Sequence, residues 1–300
     1  MHPTTQRQTK TTNSTLRAHL NLLFATVIWA STFINIKFTL TQVPANTLAF
    51  LRFFIASIAL LLFNCIFPQP FIKKQDLRWV ALSGLTGVTL YNFFQNQGLR
   101  YAGATDAAIF SSLTPIFMAI MGYLFYQEKI TPLKIMGIIL AFSGTIIVAT
   151  GGSWQPGSLN YSRLWGDFLV SLIGLCWAFY NITLKKLLPK YPVGTILTYT
   201  SVSGTLFLFP LIFFETPNLS KINLSGWLNI LYLGIFASAL AYFFWNKALH
   251  TVTVSTAGVY LYLIPIITIL IALIFLHEIP TIYTILGGFL TLSGIYFAGK

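Results

Sequence analysis

The chain reads as an all-α integral membrane protein of about ten transmembrane helices, arranged as two inverted five-helix repeats. Three observations predict this. Of 300 residues, 56% are hydrophobic and only 8% charged, against about 25% charge in ordinary soluble domains. Apolar windows near bilayer length recur ten times, and no connector is long enough to hold a separate soluble domain. Landmarks of the first half return in the second at a nearly constant spacing. The composition excludes a water-soluble globule, a disordered chain and a collagen-like repeat. Cys65 and Cys176 sit in apolar stretches without paired spacing, so neither a disulfide framework nor a zinc site is indicated.

Met1 to Arg17 is Thr-rich and polar, carries Arg7, Lys10 and Arg17, and is expected to be a cytoplasmic tail over residues 1–17. The apolar run from His19 to Phe38 has full bilayer length and is followed by further spans, which predicts a retained first helix rather than a signal peptide. Windows at 46–67, 79–99, 104–125 and 133–150 complete a first unit, residues 18–150. Those at 165–186, 194–214, 226–247, 253–276 and 281–299 make a second, residues 151–300. The connectors carry turn residues, among them Pro68-Gln69-Pro70, Thr131-Pro132, Gly151-Gly152, Pro189 to Pro192, Thr216-Pro217-Asn218 and Ile279-Pro280. With the N-terminus inside, 13 of the 18 Lys and Arg fall on inner segments. This places both termini in the cytoplasm and assigns the net charge of +12 to orientation rather than to nucleic-acid binding.

The chain compared with itself is more informative. Phe93-Phe94-Gln95-Asn96 falls on Phe243-Phe244-Trp245-Asn246 at an offset of 150, as do Pro115 on Pro265, Glu128 on Glu278, Gly137 on Gly287 and Ser143-Gly144 on Ser293-Gly294. Near the start the offset is 148, setting Trp29-Ala30 on Trp177-Ala178 and Lys37 on Lys185. Five helices are an odd number, so the second copy enters the membrane from the opposite face. Inverted repeats of this kind are the architecture of secondary transporters, whose two near-equal arrangements open a shared site to either side in turn. A passive pore or facilitator and a membrane-embedded enzyme are the alternatives.

Several residues are candidates for the site. Arg52 lies inside the second helix, where its repeat counterpart is Thr200. An intramembrane charge demands a partner, and two roles are open: binding an anionic group of a solute, or snorkelling or pairing structurally with Asp106 or Asp167. Tyr91, Asn92, Gln95 and Asn96 on the third helix, and Tyr242, Trp245 and Asn246 on the eighth, share helix faces that suit a small amphipathic solute. Trp29, Trp177, Asn181, Ser111, Ser112, Tyr260 and Tyr262 are expected to complete the cavity, although packing and interfacial roles stay open for each. Pro115 and Pro265, in mid-helix, are expected to kink their helices and act as hinges. Glu128 and Glu278 stand at helix exits, where anchoring of the next helix is the expected role and a gating pair the alternative. The small-residue faces at Gly137, Ala141, Gly144, Gly287 and Gly294 predict close helix packing, with a homodimer contact through the fifth and tenth helices as one use of it. The four histidines are isolated, no His-Glu-x-x-His or phosphate-cradling loop occurs and the carboxylates do not cluster, so no cofactor, metal or catalysis is expected.

Leu113-Thr114-Pro115-Ile116-Phe117 followed by Gly122 to Gln127-Glu128, and its echo Leu263-Ile264-Pro265-Ile266 to His277-Glu278, resemble the Pro-then-Glu signature of EamA-type domains of the drug/metabolite transporter superfamily. Trp29-Ala30-Ser31 and Phe50-Leu51-Arg52-Phe53 are similar to that family too, so the resemblance covers two tandem units from about His19 to Lys300. It implies a bacterial inner-membrane exporter of amino acids, metabolites or toxic compounds, with a central cavity enclosed by both halves. One departure stands out. The related small multidrug exporters carry a Glu on their first helix, and none lies between Leu20 and Phe38.

Overall fold

A computed structural model describes residues 3–126, 131–150, 160–251, 257, 260, 261, 263–275, 277 and 279–298. No strand occurs among the described residues. The ten predicted helices are all represented. α1 is Pro3–Thr39, so the polar lead continues the first helix, and α2 is Ala45–Ile66. α3 runs through Leu77–Gly84, a π-helical segment Leu85–Leu90, and Tyr91–Tyr101; α4 comprises Ala104–Ser111 and Thr114–Tyr126; α5 is Pro132–Thr150. α6 is Tyr161–Leu187, and α7 is Val193–Leu208 with a 3-10 extension Phe209–Phe214. α8 repeats the plan of α3, with Leu224–Tyr232, a π segment Leu233–Leu240 and Ala241–Ala248. α9 is Leu263–Phe275 and α10 is Ile282–Ala298.

Six of these helices are long and apolar enough to cross a bilayer, and the described parts of α5, α9 and α10 are shorter apolar helices. α3 falls short of that apolarity because Asn92, Gln95, Asn96 and Gln97 occupy one stretch of it. Three of those four amides are buried, which keeps them off the lipid.

The two halves are related as the repeat predicts. α2 and α7, which are repeat equivalents, run antiparallel. The Glu215 carboxylate beyond the end of α7 accepts the Asn46 and Thr47 amides at the start of α2, at 2.9 and 2.8 Å. At their other ends the Thr195 hydroxyl, near the start of α7, donates to the Pro70 carbonyl after α2, at 3.2 Å. The face where α1 enters is called the near face below, and its opposite the far face. Glu215 therefore caps α2 at the far face, supplying the negative charge that an N-terminus favours. At the near face Asp76 takes Lys190 Nζ at 2.7 Å and the Tyr191 hydroxyl at 2.8 Å.

Pairing between the halves follows the same two-fold logic. α1 packs on α8 as α6 packs on α3, the π segment of α8 lies on α2 as that of α3 lies on α7, and α5 lies along α10. In a bilayer such contacts depend on close backbone approach rather than on hydrophobic exclusion. A methyl on Gly144 would stand 2.5 Å from the Gly287 carbonyl oxygen, and one on Gly287 2.6 Å from that of Gly144. The small-residue faces of α5 and α10 thus close on each other within one chain.

Candidate functional site

At mid-depth, where the two halves meet, a chamber is lined by Trp29, Thr32 and Phe33 of α1, Arg52 of α2, Tyr91 and Gln95 of α3, Ser111 and Thr114 of α4, Trp177 of α6, Tyr242 of α8, Leu261, and Ile264 of α9. Its free volume is about 30 Å³, room for roughly two waters. In the described state it is closed down around its own side chains.

Each repeat builds its wall in the same way. Ser111 and Thr114 stand four and one residues before Pro115, and Leu261 and Ile264 stand four and one before Pro265. Pro115 has no amide to offer the Ser111 carbonyl, and its ring would clash there. The helix breaks at Ser112–Leu113, and the Thr114 hydroxyl takes over that carbonyl at 2.6 Å. The helix is therefore interrupted beside Pro115, at residues that line the chamber. Pro265 holds the equivalent place in α9, with Leu261 and Ile264 on the lining. The π segments of α3 and α8 are also equivalent: Thr89 bonds back five residues to the Gly84 carbonyl and Ser238 five residues to that of Leu233. Such segments place side chains that a regular helix would not, and Ser238 is the one that meets Arg52.

Arg52 is 2% exposed. Its Nε donates to Ser238 Oγ, its guanidinium lies 5.4 Å from the Phe53 ring centroid, and its Nη1 is buried without a hydrogen-bond partner. Neither structural partner considered from sequence reaches Arg52: Asp106 pairs with Arg163 at 3.0 Å, and Asp167 lies 3.9 Å from Arg163. Snorkelling is excluded by the burial. No carboxylate among the described residues forms an ion pair with Arg52, so a cationic donor faces the chamber with hydrogen-bonding capacity to spare.

An aromatic box completes the site. The Trp29 centroid lies 5.3 Å from that of Trp177 and 5.5 Å from that of Tyr242, while Tyr91 is 5.6 Å from Trp177. Trp29 Nε1 is spent on the Ala237 carbonyl at 3.0 Å and the Tyr242 hydroxyl on that of Gly87 at 2.9 Å. Trp177 Nε1 and Gln95 Oε1 are buried and unpartnered. Among the fully buried atoms of the lining, Arg52 Nη1 and Trp177 Nε1 are thus donors, and Gln95 Oε1 an acceptor, without a partner.

Of the ten site residues expected from sequence, Arg52, Trp29, Tyr91, Gln95, Ser111, Trp177 and Tyr242 line the chamber. Three do not. Trp245 is wholly buried behind the box, 5.3 Å from Trp29 and 5.8 Å from Trp177, because its face of α8 turns toward α1. Asn181, one turn beyond Trp177 on α6, bonds back to the Trp177 carbonyl at 2.8 Å. Tyr260 bonds His19 Nδ1 at 2.8 Å, at the near-face end of α1. Ser112 is buried on its own helix, its hydroxyl bonded to the Ile109 carbonyl. Tyr262, Glu128 and Glu278 lie outside the described residues. Sequence reasoning missed Thr32, Phe33, Thr114, Leu261 and Ile264. The repeat itself carried the signal for the last two, as images of Ser111 and Thr114.

The sequence profile of the EamA-like transporter family matches residues 16–150 and again 164–299. The chain belongs to the EamA-like transporter family. It is a multi-pass membrane protein of transporter type, with one EamA unit for each five-helix repeat. An uncharacterized transporter of Archaeoglobus fulgidus is 33% identical, the match covering 93% of this chain and 96% of the relative. A protein of Streptantibioticus cattleyicolor named a probable terminal-alkyne amino-acid exporter is 27% identical over 93% of this chain and 92% of its own length. The uncharacterized transporter YyaM of Bacillus subtilis is 27% identical over 94% of this chain and 93% of its own. A solved crystal structure superposes with a TM-score of 0.66 at 17% identity, covering 94% of this chain and 96% of that one, which shows a shared fold.

Proposed function

We propose that this EamA-family chain is a secondary carrier that exports a small carboxylate-bearing solute, an amino acid or close relative, by alternating access around the mid-depth chamber. The observation that carries the reading is Arg52: a buried guanidinium with an unpartnered Nη1 in an aromatic, otherwise uncharged wall. A guanidinium suits a carboxylate because its donors match the two acceptor oxygens. The Gln95 carbonyl and the faces of Trp29, Trp177 and Tyr242 then suit an ammonium group, by hydrogen bonding and by cation–π attraction. The amino-acid exporter among the relatives supports the same solute class. A chamber with room for roughly two waters does not take an amino acid in this state, which fits a cycle in which the halves part before loading. The prolines beside the lining and the inverted repeat supply the parts for that motion.

Both termini are assigned to the cytoplasm of a bacterial inner membrane, the near face being the cytoplasmic one, on the distribution of Lys and Arg. No enzymatic step enters the reading. The test is counterflow in proteoliposomes with a panel of radiolabelled amino acids. A carrier gives saturable exchange that Arg52→Ala abolishes while folded yield is kept. Flux that does not saturate and shows no exchange would instead mark a pore, and chemical alteration of the solute an enzyme.

A further inference from the structure

A second cluster lies outside the chamber, toward the far face. A cavity of about 200 Å³ is lined there by Gly103, Thr105 and Asp106 before and within α4, by Arg163 of α6 and by the loop into α10. Behind it sits Asp167. On α6 this residue stands ten positions before Trp177, about 15 Å along the helix axis. It shares a buried face with Val170, Gly174 and Trp177, so it stands on the wall between the chamber and the far mouth.

The environment of Asp167 is unusual for an ionised carboxylate. The residue is 1% exposed, and neither Oδ1 nor Oδ2 has a hydrogen-bond partner. Among the described residues its one charged contact is Arg163 Nε at 3.9 Å, beyond hydrogen-bond reach, while Arg163 Nη2 is committed to Asp106 at 3.0 Å and to the Val148 carbonyl at 2.7 Å. The groups that face it are few. From α4 there is Asp106, whose like charge opposes ionisation. From α6 there is Arg163. From α1, Lys37 donates to the Ala102 carbonyl, and Ala102 N abuts Gly166. On α3, Arg100 is exposed and turned to Gln97 at 3.1 Å. An ionised carboxyl is acceptor-only and loses several kcal/mol of hydration when buried without donors, whereas the neutral acid loses far less.

We propose that Asp167 is a proton-binding site: its carboxyl holds a proton while the far mouth is closed. When that mouth opens, the Arg163–Asp106 pair parts, water from the far-face cavity reaches Asp167, and the O–H proton passes to that water, leaving the carboxylate. Reclosure takes a proton back. Because the same opening exposes the chamber, the proton and the solute are exchanged by one motion, which makes the carrier proton-coupled. The coupling rests on the alternating-access reading; the protonation does not.

Infrared spectroscopy of the purified protein in lipid tests the protonation without any solute. The wild type should show the carbonyl stretch of a protonated carboxylic acid at about pH 7, where ordinary carboxyls are ionised. That band should vanish in Asp167→Asn and persist, displaced, in Asp167→Glu. No such band in the wild type, or a band that survives Asp167→Asn unchanged, overturns the proposal. For the coupling, a pH gradient of about one unit sustains at most roughly tenfold accumulation of an exchanged amino acid at one proton per solute. The wild type should approach that ratio and Asp167→Asn should lose it relative to its own counterflow. Equal accumulation in both overturns the coupling. If no amino acid exchanges in the wild type, it is the carrier reading that fails, while the infrared result still decides whether Asp167 holds a proton.

Discussion

The two halves of this molecule share a backbone plan and differ in chemistry where they meet. On the first half the chamber wall carries Arg52, Gln95, Thr32, Ser111 and Thr114 beside Trp29, Phe33 and Tyr91; the second half presents Trp177, Tyr242, Leu261 and Ile264, with no charge. The polar reach of the second half is spent or absent, since the Tyr242 hydroxyl is bonded to Gly87 and only Trp177 Nε1 is left free. Thr200, which stands where the first half has Arg52, is wholly buried and its hydroxyl is unpartnered. Pseudo-symmetric scaffolds can rock between two arrangements of nearly equal energy. The lining is asymmetric in charge: under the proposed reading the solute's carboxylate meets Arg52 on the first half, while the second half adds aromatic and apolar faces.

Making the halves alike is the sharpest way to break that contrast. Arg52→Thr copies the second repeat into the first and removes the one cation of the chamber. Truncating one side of a buried charge pair costs about 2 kcal/mol or more, so counterflow at low solute should fall by at least roughly thirtyfold. Folded yield, followed by size-exclusion profile, should hold, because the equivalent position of the second repeat carries a fully buried threonine, Thr200.

The seam between the halves should respond next. Gly294→Leu forces a side chain against the Ala141 and Gly137 backbone, and overpacking of this kind costs roughly 1–3 kcal/mol. A lower melting temperature in detergent is expected. Gly288→Ala, where a new methyl would meet Ile109 Cδ1 at an ordinary 3.4 Å, should leave melting unchanged.

The reverse copy is milder. Leu261→Ser and Ile264→Thr put the first repeat's residues on the second, and each should weaken half-saturation by about fivefold, near 1 kcal/mol, for solutes with large apolar side chains. Small polar solutes should lose less. A panel graded by side-chain size separates the two outcomes.

The smallest effect concerns the near-face latch. The Lys190 ammonium and the Tyr191 hydroxyl, both donating to Asp76, hold its carboxyl below the usual carboxylate range. The sign follows from the depressed value. Asp76 contributes its full stabilisation above about pH 4, the unfolded value, and loses it as pH falls through the lower folded value. Melting measured across acidic pH should therefore decline in the wild type, and Asp76→Asn should remove that part of the decline.

The fold was legible because a bilayer imposes length and apolarity on each span. Every predicted window coincides with a helix, apart from the residues of the last two spans that lie outside the description. Even α3, too rich in amides to look apolar, was betrayed by its repeat partner. The site was legible in part. Arg52, Trp29 and Trp177 stood out because charge and paired tryptophans are rare inside membranes. Trp245 and Asn181 misled because type and spacing fix a helix face only within about one residue's rotation: Trp245 turns to α1, and Asn181 spends its amide on the Trp177 carbonyl of its own helix.

By itself, then, the sequence determined the number of spans, their duplication and inversion, and the residues whose presence in lipid requires an explanation. Hydrophobic length and an odd repeat leave few other arrangements. The tertiary structure alone decided which partner each of those residues takes: Ser238 for Arg52, Arg163 for Asp106, and α10 for the small-residue face of α5. Those choices depend on approaches of a few ångströms between helices remote in the chain, and no local pattern encodes such distances.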